Sequence, residues 1–77
     1  MKETRTINLN GLVYHIDYDA YQELRDYLQD IELRLPQDDR QEVIADIEAR
    51  IAELFQNALF AKSIQVVNNQ IVQSVKQ

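Results

Sequence analysis

Asp19, Glu23, Asp26 and Asp30 recur at spacings of four, three and four, which lines four carboxylates along one side of a helix. A stripe of oxygens attracts Mg²⁺ or Ca²⁺. Side chains on one straight helix cannot wrap an ion, however, and no glycine-bearing EF-hand loop is present. The stripe therefore reads as a solvated acidic face or as a surface for a basic partner. Glu48 is a different case. On a helical wheel it projects between Phe55 and Leu59, at one edge of an apolar arc. A charge there has to be paired, hydrogen-bonded or at the rim. Either its head reaches water or a partner such as Arg5 or His15, pinning its helix to a neighbour, or it is left to meet a partner protein. Asp46, Arg50 and Glu53 fall opposite or beside that arc, with Asp46 and Arg50 spaced for an i,i+4 ion pair.

Little else in the chain suggests chemistry. His15 is the lone histidine and could titrate near neutral pH, but it has no catalytic companion. There is no Gly-rich phosphate loop, nucleophile elbow or HExxH pattern. The absence of cysteine excludes disulfides and thiolate metal sites, and one histidine is too few for a usual zinc site. The expectation is no catalytic residue, no metal and no cofactor.

These residues need elements to position them. "TINLNGLVYHI" reads as a hairpin over about residues 4–16, because Asn-Gly is the preferred pair for a type I′ turn. A two-residue loop pairs Leu9 with Leu12, Ile7 with Tyr14 and Arg5 with Ile16. Ile7, Leu9, Leu12, Tyr14 and Ile16 then share one face, and Thr6, Asn8, Val13 and His15 the other. A hairpin alone is unstable in water, so helices must cover it. The first helix spans about 18–35, with Asp17 or Asp19 as N-cap and Pro36 as its stop. Its apolar arc is Ala20, Tyr21, Leu24, Tyr27, Leu28, Ile31 and Leu35. The second helix spans about 38–61, opened by a capping box of Asp38 with Gln41 or of Asp39 with Glu42. The short connection at Pro36 makes the pair antiparallel. An extended segment at about 64–67 and a helix at about 69–77 follow, the latter capped by Asn68.

The expected fold is α+β: an N-terminal hairpin packed on an antiparallel helix pair, then a short strand and a short helix, in one small domain over 1–77. The expected core is Ile7, Leu9, Leu12, Tyr14, Ile16, Leu24, Tyr27, Leu28, Ile31, Ile44, Ile47, Ile51, Leu54 and Phe55. Tyr18 and Leu33 fall off the first helix's arc and are candidates for an interface, where aromatic side chains concentrate.

Net charge is −5. The acid sits in residues 17–62, while 1–16 and 63–77 each carry +1. Scattered cations do not make a nucleic-acid footprint, and the acidic middle would be repelled by anionic lipid. The opening "MKETRTINL" has no apolar core for a signal peptide. No apolar run approaches the ~20 residues of a membrane span. The segment is expected to stay out of the bilayer, on the cytoplasmic side, as a piece of a longer chain.

Two blocks carry a family resemblance. Residues 6–28, "TINLNGLVYHIDYDAYQELRDYL", and residues 42–55, "EVIADIEARIAELF", resemble the patterns TINLxGxVFHIDEDAYxxLxxYL and EIIxDIExRIAELF. These belong to the N-terminal region of phage-shock-protein C (PspC)-like proteins of Bacteroidetes-like bacteria. The likeness covers about the first 60 residues. Family members tend to carry acids in the last helix, where this chain has Asn69, Gln70, Gln73 and Ser74. The resemblance implies a cytoplasmic region ahead of membrane-spanning segments in an inner-membrane protein of the envelope-stress response, regulating transcription through other proteins. It offers no catalytic residue.

Three functions follow as expectations. The first is a non-catalytic interaction or regulatory module, binding a protein partner or other segments of its own full-length chain. The second is a homodimer joined through the hairpin edge or spare apolar residues. The third, and the weakest, is a divalent-ion-responsive domain using the acidic stripe.

Overall fold

Asn10 and Gly11 both take positive φ, 54° and 81°, as the two central residues of a type I′ turn must. The computed structural model describes residues 3–76 and builds the expected hairpin around that turn. β1 (Thr4–Leu9) and β2 (Leu12–Asp17) pair Leu9 with Leu12, Ile7 with Tyr14 and Arg5 with Ile16. The Asn8 side-chain oxygen accepts from the Gly11 N–H at 3.0 Å, closing the turn. Leu9, Tyr14 and Ile16 enter the core, with Ile7 half-buried against it. Leu12 does not, at 41 % exposed. At that last rung the helices cover Leu9 and leave its partner at the margin.

β2 runs straight into α1 (Tyr18–Arg34). No side chain caps this helix, contrary to the role expected of Asp17 or Asp19. The hairpin ladder instead runs on into the helix: the Tyr18 N–H, one of the free amides of the first turn, donates to the Glu3 carbonyl at 2.8 Å. α1 ends where Leu35 turns extended (φ −93°, ψ 145°) before Pro36, since that position resists the α region. α2 (Gln37–Lys62) starts at once, without a side-chain cap. Asp38 and Asp39 lie inside its first turn rather than at the cap, so the expected capping box does not form. Their carboxylates still favour the positive end of the helix dipole.

α2 closes on Ser63 in the left-handed region (φ 54°, ψ 41°). The Ile64 N–H donates to the Leu59 carbonyl at 3.1 Å and the Ser63 N–H to that of Phe60 at 3.2 Å, a Schellman arrangement. Leu59 and Ile64 both pack on the core, supplying its usual apolar clasp. Glycine is the residue best suited to the position Ser63 occupies. Ser63→Gly is expected to raise unfolding free energy by about 1 kcal/mol, read from the urea midpoint. A lower midpoint would mean that the serine side chain holds the cap.

β3 (Val66–Val67) lies parallel to β2, His15 beside Val66 and Ile16 beside Val67. The sheet order is β1-β2-β3. Asn68 then caps α3 (Asn69–Lys76), its side-chain oxygen accepting from the Ile71 N–H at 3.0 Å. Gln77, the expected last residue of that helix, lies outside the described residues.

The core gathers Leu9, Tyr14 and Ile16 with Ala20 and Leu24 of α1, Ile51, Ala52 and Phe55 of α2, Val67 of β3, and Ile71 and Val72 of α3. This differs from the expected core in a consistent way. Tyr27, Leu28, Ile31, Ile44 and Ile47 are half-buried and Leu54 is 42 % exposed. α3 packs against both α1 and α2 and meets α1 more extensively than α2 does. Its Ile71 and Val72 supply core volume that the two long helices do not. Among the described residues no helix is long and apolar enough to cross a membrane.

Candidate interaction site

The acidic stripe does not stay together. Asp19 is exposed. Asp26 lies 3.7 Å from Arg25 and Asp30 3.1 Å from Arg34. Glu23 turns to α3, where one carboxylate oxygen accepts from Gln73 Nε2 at 2.8 Å and the other is buried without a partner. The single solvated face expected of these four residues is therefore broken at Glu23. α3 packs along that flank of α1, and the periodicity of α1 alone carries no sign of such a neighbour. Among the described residues no three His, Asp or Glu side chains gather as a metal site would require.

Tyr18 is half-buried and already engaged. Its ring stacks on Tyr21, centroids 6.4 Å apart at 18°, and its hydroxyl accepts from Gln22 Nε2 at 3.2 Å. The Arg5 guanidinium lies 4.8 Å from its centroid and 6.0 Å from that of Tyr21, with Arg25 5.9 Å from Tyr21. Leu33 is 78 % exposed. Phe60, not singled out by its sequence position, is 88 % exposed. Its signal was available: it falls outside the apolar arc of α2.

Glu48 is half-buried, and its two expected hairpin partners are occupied elsewhere. Arg5 sits over the tyrosines, and His15 Nδ1 is 3.3 Å from Thr6 Oγ1 across the ladder. Glu48 makes no hydrogen bond or ion pair among the described residues. It borders two depressions. One, about 200 Å³, lies over Ile7, Leu9, Leu24 and Leu28, with Asn8, Tyr21 and Arg25 around it. The other, about 490 Å³, lies between the end of α1 and the start of α2, beside Glu32 and Arg40. Arg40 Nη2 donates to the Leu35 carbonyl at 3.2 Å. A third groove of about 350 Å³ runs between Tyr27, the Val43–Leu54 stretch of α2 and Val75. Asp46 and Arg50 line it without forming the expected ion pair with each other.

Tyr14 holds this geometry in place. Its hydroxyl donates to the Ala52 carbonyl at 2.9 Å, and its ring meets Phe55 edge-on at 5.7 Å and 80°. Burial pushes its phenol above the ordinary value of 10.0, because the charged form would lose its hydration. A pKa raised by folding contributes stability that is intact below the unfolded value and is lost as pH rises through the folded one. Tyr14→Phe is expected to cost about 1 kcal/mol at pH 7. That deficit should shrink above pH 10, where only the parent chain has a buried phenol to ionise. Urea unfolding at pH 7 and pH 10.5 checks both statements.

Comparison with family models, with curated proteins and with solved structures finds no match to this chain.

Proposed function

We propose that this chain is a non-catalytic protein-interaction or regulatory module, the cytoplasmic N-terminal region of a PspC-like envelope-stress protein. Its partner is another protein or further segments of its own full-length chain. The observation that carries the reading is Glu48, a half-buried residue that makes no hydrogen bond or ion pair among the described residues and borders an apolar-floored cleft. A carboxylate left unpaired at the border of an apolar cleft is free to meet a partner's cation. The resemblance adds support: every residue lining the cleft lies within the two blocks 6–28 and 42–55.

Substitution tests this directly. Glu48→Leu is expected to raise stability by about 1 kcal/mol, since it extends apolar cover over the floor of the cleft. Glu48→Gln is expected to leave stability nearly unchanged. Thermal melts of both variants decide. A loss above about 1 kcal/mol in Glu48→Gln would mean that the carboxylate braces the fold and is not held for a partner.

Self-association is the second reading, favoured by Phe60 and Leu33 standing open on the surface. Sedimentation equilibrium at low and moderate salt separates the two. A dimer that persists in salt and is lost in Phe60→Ser or Leu33→Ser supports a homodimer, whereas a monomer throughout returns the question to a heterologous or intramolecular partner. The ion-responsive reading has no comparable observation behind it, because Glu23 is turned to Gln73.

A further inference from the structure

β1 is the long open edge of the sheet, since β2 lies between it and β3. Which of its backbone groups face outward follows from two observations. Leu9 and Leu12 flank a two-residue turn, and the Glu3 carbonyl accepts from the Tyr18 N–H. Antiparallel bonding alternates, so the odd-numbered residues of β1 bond inward. Thr4, Thr6 and Asn8 hold their N–H and C=O groups outward. Folded proteins usually blunt such an edge with proline, lysine or a bulge. β1 has no proline or lysine and pairs without interruption from Thr4 to Leu9; its one charge, Arg5, lies over the Tyr18 and Tyr21 rings.

The cleft beside Glu48 runs along this edge, between β1 and α1. Its floor is Ile7, Leu24 and Leu28, and its two ends carry opposite charge. Arg5 and Arg25 both lie near the Tyr21 ring, at the Thr4 end. Glu48 lies at the Leu9 end: α2 runs against β1, and Glu48 is one turn before Ala52, whose carbonyl meets Tyr14, the partner of Ile7.

We propose that this edge and cleft form a peptide-binding site, taking an extended segment as an added antiparallel strand beside β1. The inference rests on the interaction-module reading and gives it a site and a ligand class. Main-chain bonds to Thr4, Thr6 and Asn8 supply affinity, and alternate side chains entering the cleft supply specificity. An antiparallel strand enters at the Leu9 end. Its inward-facing side chains are then a cation against Glu48, an apolar residue over Ile7 and a carboxylate against Arg5 and Arg25. The ligand motif is cation-x-apolar-x-carboxylate, read from amino to carboxyl end.

Two end-blocked peptides test it, Thr-Lys-Thr-Val-Thr-Glu-Thr and its charge-reversed form Thr-Glu-Thr-Val-Thr-Lys-Thr, titrated into the isotopically labelled chain. The first is expected to bind about tenfold more tightly, the scale of two modest ion pairs. It should also slow amide exchange at Thr4, Thr6 and Asn8. Glu48→Gln should cut that preference to about threefold, and Glu48→Lys should weaken the first peptide further. Equal binding of the two peptides, or spectral shifts confined to Tyr27, Ile47 and Leu54, overturns the proposal and leaves the interaction-module reading standing. Absence of binding at millimolar peptide also overturns it, and the Glu48 melts then judge the broader reading separately. If exchange at these three amides slows with protein concentration alone, the edge belongs to a second copy and the peptide site is wrong.

Discussion

Phe55→Ala is expected to leave the domain at the edge of unfolding at 25 °C. Phe55 is fully buried, and its ring meets Tyr14 edge-on. Phenylalanine-to-alanine changes in cores cost about 3–5 kcal/mol, combining lost transfer energy with the cavity left behind. A chain of 77 residues has a total of about 4–12 kcal/mol to lose. The site favours the upper part of that cost. Phe55 shares its core cluster with residues of the hairpin, β3 and α3, and the Tyr14–Ala52 hydrogen bond resists collapse into the void. Phe55→Leu keeps most of the volume and should cost about 1–2 kcal/mol. The check is urea unfolding of both variants followed by circular dichroism. A Phe55→Ala loss below 2 kcal/mol would mean that the hairpin does not depend on α2 for its cover.

The hairpin was the most legible element, and the reason is local. Asn10-Gly11 selects one turn type, the turn sets the register, and period two assigns the faces. The Pro36 boundary and the Asn68 cap were legible on the same grounds, because each depends on one residue and its immediate neighbours. The capping roles expected of Asp17, Asp38 and Asp39 are not taken up. The start of α1 is served by the Glu3 carbonyl, and α2 begins directly at Pro36.

Site residues divide along the same line. Leu33 falls outside the apolar arc of its helix and is exposed. Glu48 falls at the edge of its helix's apolar arc, and it is half-buried at the border of a cleft. What the wheel could not show was whether Arg5 would reach it. Arg5 instead lies over two tyrosines, an alternative attraction of about 0.5–1 kcal/mol at an exposed site. Glu23 looked equivalent to Asp26 and Asp30 by spacing alone. It differs because Gln73, 50 residues further along the chain, sits against it.

The same long-range packing makes α3 the strongest remaining test. By itself an eight-residue helix is too short to be stable in water, and its sequence gives only three apolar positions, Ile71, Val72 and Val75. Two of these are nonetheless in the core, and Val72 is completely enclosed. α3 therefore owes its existence to the domain, and the domain's core is incomplete without it. Val72→Asp should unfold the whole chain rather than fray one end. A carboxylate placed there would be dry and without a cation, at a cost of several kcal/mol, comparable with the total stability. Ser74→Asp on the same helix is the control. Ser74 is exposed, so the added charge should change stability by no more than about 0.5 kcal/mol. Circular dichroism and amide exchange across β1, β2 and α2 read the outcome. If Val72→Asp removes protection only from residues 69–76, α3 is an appendage, and the core consists of the hairpin and the two long helices. If protection is lost throughout, the hairpin edge and the Glu48 cleft are held in place by the last eight described residues.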